Sequence, residues 1–416
     1  MSSTSEPRMS TVLLPETPSG AYRLQRTQSP VPRTAPSPRK RLDHVDLLRG
    51  LVMVIMVLDH VRIYFTEVRF DPTDLTRTNL ALFGTRWITH FCAPTFVFLA
   101  GASAWIAGTR RTPRELGRFL VTRGLWLVFL EFTLITFGWY FTTQLALGFV
   151  AQVIWAIGIS MIALAALVRL PRAAVASFGA VLVLGHNLLD GVAPERFGAF
   201  ADLWRALHVS GPLETLPVFL LYPLVPWVGV MALGYAAGPL IFARDGGAGK
   251  RLALAGAALT LAFIVLRALD GYGDHSHRLH EGSAAVLAMS FLNTTKYPPS
   301  LLYLLMTIGP ALLALAALRH ARGPVAGVFV TFGRVPFLFY LAHIYLVHAL
   351  AAATGVAMGY PASAMMNVFL RLPDDWGFGL PVIYAVWIAA VALLYPVCRR
   401  WAELKGRSRA WWLSYL

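Results

Sequence analysis

Long apolar runs alternate with short clusters of charge along the whole chain. A helix needs about 20 mostly apolar residues to cross a hydrocarbon core roughly 30 Å thick, and stretches such as LALGFVAQVIWAIGISMIALAAL meet that requirement. The runs are continuous, without the polar alternation of a barrel strand, so they read as helices. Lipid offers no partner to backbone N–H and C=O groups, and helices satisfy them internally. The pattern therefore predicts an all-α fold, a polytopic transmembrane helix bundle of about ten spans. They run roughly over 45–65, 84–108, 118–141, 147–168, 172–190, 216–242, 250–269, 297–318, 325–352 and 378–399. Pro223, Pro226, Pro298 and Pro299 sit in or beside spans and read equally as kinks or as helix-end punctuation.

Charge orients this bundle. Arg110, Arg111, Arg114 and Arg118 follow the second span; Arg169 and Arg172, then Arg244, Lys250 and Arg251, then Arg319 and Arg322 follow later ones. Arg399, Arg400, Lys405, Arg407 and Arg409 follow the last. Intervening loops carry Glu195, Asp202 and Glu214, then Asp270, Asp274 and Glu281, then Asp374 and Asp375. By the positive-inside rule the basic loops and both termini are expected to be cytoplasmic. Residues 1–42 are rich in Ser, Thr, Pro and Arg, with Arg33, Arg39, Lys40 and Arg41 abutting the first span. They read as a disordered basic tail, and 43–416 as one membrane domain without solenoid or mirrored repeats.

Composition sharpens the class. With 57% hydrophobic and 14% charged residues and a mean hydropathy of +0.60, the chain lies far from soluble domains, which carry about 25% charged residues. The net charge of +15 sits in the short clusters that orient spans, so membrane lipid is the expected partner and nucleic acid is not. Cys92 and Cys398 form neither a disulfide framework nor a zinc spacing. His275, His277 and His280 in DHSHRLH read as a solvated loop, no metal is expected, and Trp411–Trp412 read as an interfacial belt.

The candidate chemistry lies in charges that interrupt the apolar runs. An ionisable side chain deep in lipid costs roughly 2.5–3.5 kcal/mol on insertion scales and usually marks function. The first span carries Asp46, Arg49, Asp59, His60 and Arg62, and the second Arg86 and His90. At about 100° per residue, Asp46, Arg49, Met53, Met56 and His60 fall within an arc of roughly 80°. This stripe, roughly 21 Å long at about 1.5 Å per residue, is the layout of a path through the membrane. Asp59 and Arg62 are spaced to pair, and Arg86 and His90 are i,i+4 neighbours near the external end of the second span. Lys296, His343, His348, His186 and Asn187 approach the same outer leaflet from other spans, which points to a site there. Structural readings compete at each position: an interfacial pair for Asp46 and Arg49, a neutralised pair for Asp59 and Arg62, interhelical hydrogen bonds for the histidines. Glu131, a lone acid in the third span, reads as a proton carrier or as the partner of a buried arginine such as Arg334.

The string RLDHVDLLRGLVMVIMVLDHVRIYF, with D-x-x-R-G opening a span and M-x-x-D-H later, resembles the heparan-α-glucosaminide N-acetyltransferase-like membrane family. PTFVFLAG is similar to that family's ending of the second span; TKYPPSLLYLLMTIGPALLAL, GRVPFLFYLAHIYLVH and LLYPVCRRWAELKGRSRAWWLSYL are similar to its bacterial branch. The resemblance implies transfer of an acyl group, typically acetyl, from cytoplasmic acyl-CoA to a saccharide or other envelope acceptor across a bacterial inner membrane. Acetyl-CoA would then be a donor substrate, with no tightly bound cofactor. Lysosomal members carry a catalytic histidine in an H-A-S-W-N-G-like stretch; here the loop reads TEVRFDPTDLTRTNLALFGTRWIT, so that histidine is not carried over. On this reading His90, helped by His60 or Asp59, is the expected general base, since the acceptor must lose a proton to attack a thioester. Arg86 or Lys296 would steady the oxyanion, and Arg49 would meet CoA phosphates beside Asp46. His343 and Glu131 complete the expected binding set. A proton-coupled secondary transporter or flippase is the rival expectation.

Overall fold

The computed structural model describes residues 43–145, 148–366 and 372–408; the basic tail, Arg409 and Trp411–Trp412 lie outside the described residues. α1 (Asp43–Phe65) opens with Asp43 and Asp46 in its first turn and ends with Arg62 in its last, each sign suiting the helix dipole there. α2 (Leu80–Trp87) runs through a 3-10 turn, Ile88–Phe91, into α3 (Cys92–Gly108). α4 (Pro113–Leu130) starts at a capping box in which Thr112 and Glu115 satisfy each other's backbone N–H. A π-turn at Glu131–Ile135 joins it to α5 (Thr136–Tyr140). α6 (Val153–Leu167), α7 (Arg172–Gly185) and the short α8 (Ala201–His208) precede α9 (Leu224–Ile241) and α10 (Ala248–Leu269). α11 (Ala284–Leu292), α12 (Leu301–Leu318), α13 (Pro324–Arg334), α14 (Pro336–Ala357) and α15 (Leu380–Arg407) complete the helices.

Among the described residues eight helical stretches are long and apolar enough to cross a membrane, fewer than the ten spans expected. The two others differ for opposite reasons. α1 has the length but carries five charged side chains after its first turn begins, Asp46, Arg49, Asp59, Arg62 and the leading Asp43. α6 is apolar but has 15 residues, about 22 Å at 1.5 Å per residue. Its expected start at 147 lies outside the described residues, and Phe149–Ala151, expected to be helical, form a strand. β1 (Phe149–Ala151) pairs in parallel with β3 (Val218–Leu220), which pairs antiparallel with β2 (Gly211–Pro212). This three-stranded patch corrects the all-α expectation locally, and it also delays α9, which begins after Pro223 and not at 216. Likewise Pro298 and Pro299 precede α12, and Pro336 opens α14, splitting the single span expected over 325–352. Proline lacks the N–H and disfavours helix in the residue before it, so these prolines punctuate.

α1 is the central helix, packed by α3, α12, α13, α14 and α15. Its charges therefore face protein, while outward apolar side chains lie on α7 (Val181, Leu184), α10 (Leu254, Leu261, Ile264) and α15 (Ile388, Leu393). The α1–α13 contact is made by two glycines. A Cβ added to Gly50, the glycine of D-x-x-R-G, would lie 1.8 Å from the carbonyl O of Phe329, and one on Gly333 would lie 1.8 Å from that of Asp46. Small residues let backbones approach this closely inside membranes. Gly333→Ala should therefore lower the thermal midpoint in detergent by an amount matching a loss of about 1–3 kcal/mol. Gly327→Ala, on the same helix with nothing within 4 Å of its would-be Cβ, should leave the midpoint unchanged.

Candidate functional site

The far end of α1 builds a compact charge cluster. Asp59 accepts at Oδ1 from Arg62 Nη2 (2.9 Å) and Nε (3.3 Å), and at Oδ2 from Arg86 Nη1 (3.1 Å). Arg86 also donates to Thr89 Oγ1 at 3.0 Å. The three charged side chains are 14%, 10% and 12% exposed, so one carboxylate binds two guanidiniums away from bulk water. The expected Asp59–Arg62 pair forms, and Arg86 joins it.

One residue further on, His60 Nδ1 lies 2.5 Å from Nε2 of His343 on α14, whose Nδ1 lies 3.0 Å from the carbonyl O of Phe339. A carbonyl only accepts, so His343 Nδ1 carries the proton and, with both rings neutral, its Nε2 accepts from His60 Nδ1–H. That assigns the lone pair of His60 to Nε2, where no group among the described residues bonds it. Trp139 packs edge-on to the His60 ring, with centroids 4.8 Å apart.

Two cavities follow α1. The larger, about 360 Å3, is lined by Arg49, Met53 and Met56 from α1, with Ser103, Arg123 and Tyr340. The smaller, about 100 Å3, is lined by Met56, Asp59 and His60, with Gln152, Tyr222, Lys296 and Tyr297. Met56, Phe96, Val153 and Tyr340 line both, so the chambers abut. The stripe of α1 thus passes from one chamber to the other. Arg49 donates to Asp46 Oδ1 (3.2 Å), to the carbonyl O of Gly333 (3.1 Å) and to Ser103 Oγ (3.2 Å), which fixes its guanidinium at the large chamber's wall.

The remaining expected residues separate into groups. His90 lines neither chamber: its ring packs edge-on to Tyr303, 5.5 Å between centroids, and its carbonyl accepts from the Tyr303 hydroxyl at 2.8 Å. Arg86 also stays off both walls and reaches the site through Asp59. His348 faces the carbonyls of Gly138 and Met365, and His186 that of Pro299, so both tie elements together. Glu131, fully buried, accepts from the backbone N–H of Trp155 at 2.8 Å and so caps the amino end of α6. Its expected partner Arg334 instead pairs with Asp43 at 3.1 Å. Arg123, Tyr340, Gln152, Tyr222 and Tyr297 were missed from sequence, although Arg123 interrupts an apolar run as visibly as Arg86 does.

Lys296 is held by a loop rather than a helix. Asp274 accepts from Ser276 N and Oγ (2.9 Å each), Thr295 N (2.8 Å), Thr295 Oγ1 (2.7 Å) and Ser300 Oγ (2.7 Å). Arg267 donates to the carbonyls of Ser276, Ser290, Phe291 and Asn293, closing the same loop from below. Asp274→Ala would strand these donors, at about 1–3 kcal/mol for buried groups left unmade. Hydrogen exchange at the amides of Thr295, Lys296, Tyr297 and Ser300 should rise accordingly, with little change in α1.

A helical bundle with eight candidate spans among the described residues, and two abutting chambers whose walls carry a few charged side chains, defines a multi-pass integral membrane protein. The family described as heparan-alpha-glucosaminide N-acetyltransferase, catalytic, matches residues 41–276, more than half of the chain, and the chain belongs to that acetyltransferase family. No curated protein matches the chain. The match ends before Lys296, Tyr340 and His343, so part of the chamber walls lies beyond it.

Proposed function

We propose that the protein moves an acyl group, acetyl in the first instance, from cytoplasmic acyl-CoA to a saccharide or envelope acceptor on the opposite face of a bacterial inner membrane, with both termini cytoplasmic. The single observation that carries this is the abutment of two unlike chambers on one charged helix, with His60 beside the boundary. The larger chamber suits the donor: its walls are mostly apolar, and Arg49 and Arg123 supply guanidiniums matched to phosphate. The smaller suits the acceptor: Tyr222, Tyr297 and Trp139 offer flat faces, and Gln152 and Asp59 offer polar groups.

With the thioester at the boundary, Nε2 of His60 takes the proton from the acceptor amine or hydroxyl as its N or O bonds to the carbonyl carbon. Of the four side chains lining both chambers only Tyr340 has a donor, and its hydroxyl meets the charge that develops on the carbonyl oxygen. The C–S bond then breaks and the CoA thiolate leaves, recovering the proton from His60. His343 acts through His60 as a positioning residue, holding the tautomer that leaves Nε2 free.

The test is mass spectrometry of envelope glycans from cells with and without the protein, paired with membranes supplied with labelled acetyl-CoA. A mass difference of one acetyl group, with label in the same product, is the expected result. Coupled uptake by proteoliposomes lacking any acyl donor, without label transfer, would replace this reading by transport.

A further inference from the structure

The smaller chamber has more positive charge around it than its own carboxylate balances. Lys296 is 9% exposed and lines that chamber, and its ammonium takes part in no hydrogen bond or ion pair among the described residues; its Nζ lies 5.2 Å from the Tyr297 ring centroid. Asp59, the acid on the same wall, already has both oxygens engaged by Arg62 and Arg86. Three cations thus share one carboxylate. Glu131 is turned to the amino end of α6, and Asp71 is bonded to Thr73 on an exposed loop. A buried ammonium without a counter-charge is costly, and unbalanced positive charge in a low-dielectric cleft draws anions. The ammonium is also held in place, because the loop that carries it is tied down by Asp274 and Arg267.

We propose that Lys296 forms an anion subsite for the acceptor, so that the acceptor is an acidic saccharide with a phosphate or carboxylate close to its accepting amine or hydroxyl. This rests on the reading of the smaller chamber as the acceptor's. Its volume of about 100 Å3 admits only part of a saccharide. That is room for the reacting end of a sugar and one charged group, with the remainder of the molecule outside. Lys296 and His60 line the same small space, so the charged group also sets which nucleophile faces Nε2 of His60.

The experiment uses the full chain purified in detergent, without acyl donor, and reads thermal unfolding against glucosamine, glucosamine 6-phosphate, glucuronate and inorganic phosphate. At least one acidic sugar should bind tenfold or more tightly than glucosamine, and that advantage should weaken with added sodium chloride. Lys296→Gln should abolish the advantage and Lys296→Arg should retain it in part; should Lys296→Gln fail to fold, the arginine variant and the salt dependence carry the test. Equal affinity for glucosamine and both acidic sugars, no shift with either acidic sugar, or an equal effect of inorganic phosphate alone overturns the proposal. Labelled acetyl-CoA is then added to the same samples. An acidic sugar that binds through Lys296 but receives no acetyl group leaves the subsite standing and defeats acyl transfer. Equal transfer to glucosamine and the acidic sugars keeps acyl transfer and defeats the subsite.

Discussion

His60→Ala abolishes transfer of label from acetyl-CoA, a loss of about 10²–10⁴-fold, the range for removing a positioned general base, while His90→Gln keeps turnover close to that of the wild type. The contrast follows from placement. His60 lines the smaller chamber with an unbonded Nε2, whereas His90 lies behind the wall against Tyr303. His343→Ala should fall between them, because the base survives but its tautomer and ring angle are no longer held. Its signature is a changed pH–rate profile on the acid side, where the wild-type rate falls as the base becomes protonated; a residue that only packs would lower the rate equally at every pH. Single-turnover measurements in membranes check all three. Loss of activity in His90→Gln with retention in His60→Ala would reverse the assignment.

Removing the Asp59 carboxylate has the largest expected effect on folding. Asp59→Ala leaves Arg62 and Arg86 buried without their shared acid, and stranding a buried charge partner costs about 3–5 kcal/mol. Against a typical total of about 5–15 kcal/mol, that is enough to deplete folded protein. The expected readout is a steep fall in monodisperse protein recovered in detergent and a lower thermal midpoint. Asp59→Asn should lie between the alanine variant and wild type, since an amide oxygen still accepts one of the bonds. Asp59→Leu combined with Arg62→Met and Arg86→Met should recover much of the loss, because no unpaired charge remains. A triple variant no more stable than Asp59→Ala would show that the cluster's worth lies in its shape and not its charge.

What could be read from sequence was what depends on near neighbours. The stripe of Asp46, Arg49, Met53, Met56 and His60 follows from helical periodicity, and from Arg49 onward it lines the two chambers in that order. Asp59 and Arg62 are one turn apart, so their pairing was also local. Partners far along the chain were not legible. His60 and His343 are 283 positions apart, and nothing in either segment states that they touch. Glu131 reads in sequence as a proton carrier or an arginine's partner, because the backbone amide of α6 that it caps leaves no trace in composition. The placement of His90 was hidden for a related reason: the kind of side chain identifies a possible base, but not that it sits in the 3-10 turn at Ile88–Phe91 with its ring against Tyr303. The loop that holds Lys296 reads in sequence as ordinary polar residues, and only the convergence of Ser276, Thr295 and Ser300 on Asp274 shows that it is built.

The central position of α1 also bears on how the molecule is assembled. Chains are made from the amino end, and α1 leaves the ribosome before the helices that enclose it. Gly333 and His343, which receive its backbone and its histidine, come 283 residues later than Gly50 and His60, in α13 and α14. Until those helices arrive, this charged segment must wait at the translocon or beside it, with only α3, Arg86 and its own neighbours for company. A message cut short before α13 would therefore yield a membrane fragment with an uncovered ionic seam, the kind of product that membrane quality control is suited to remove.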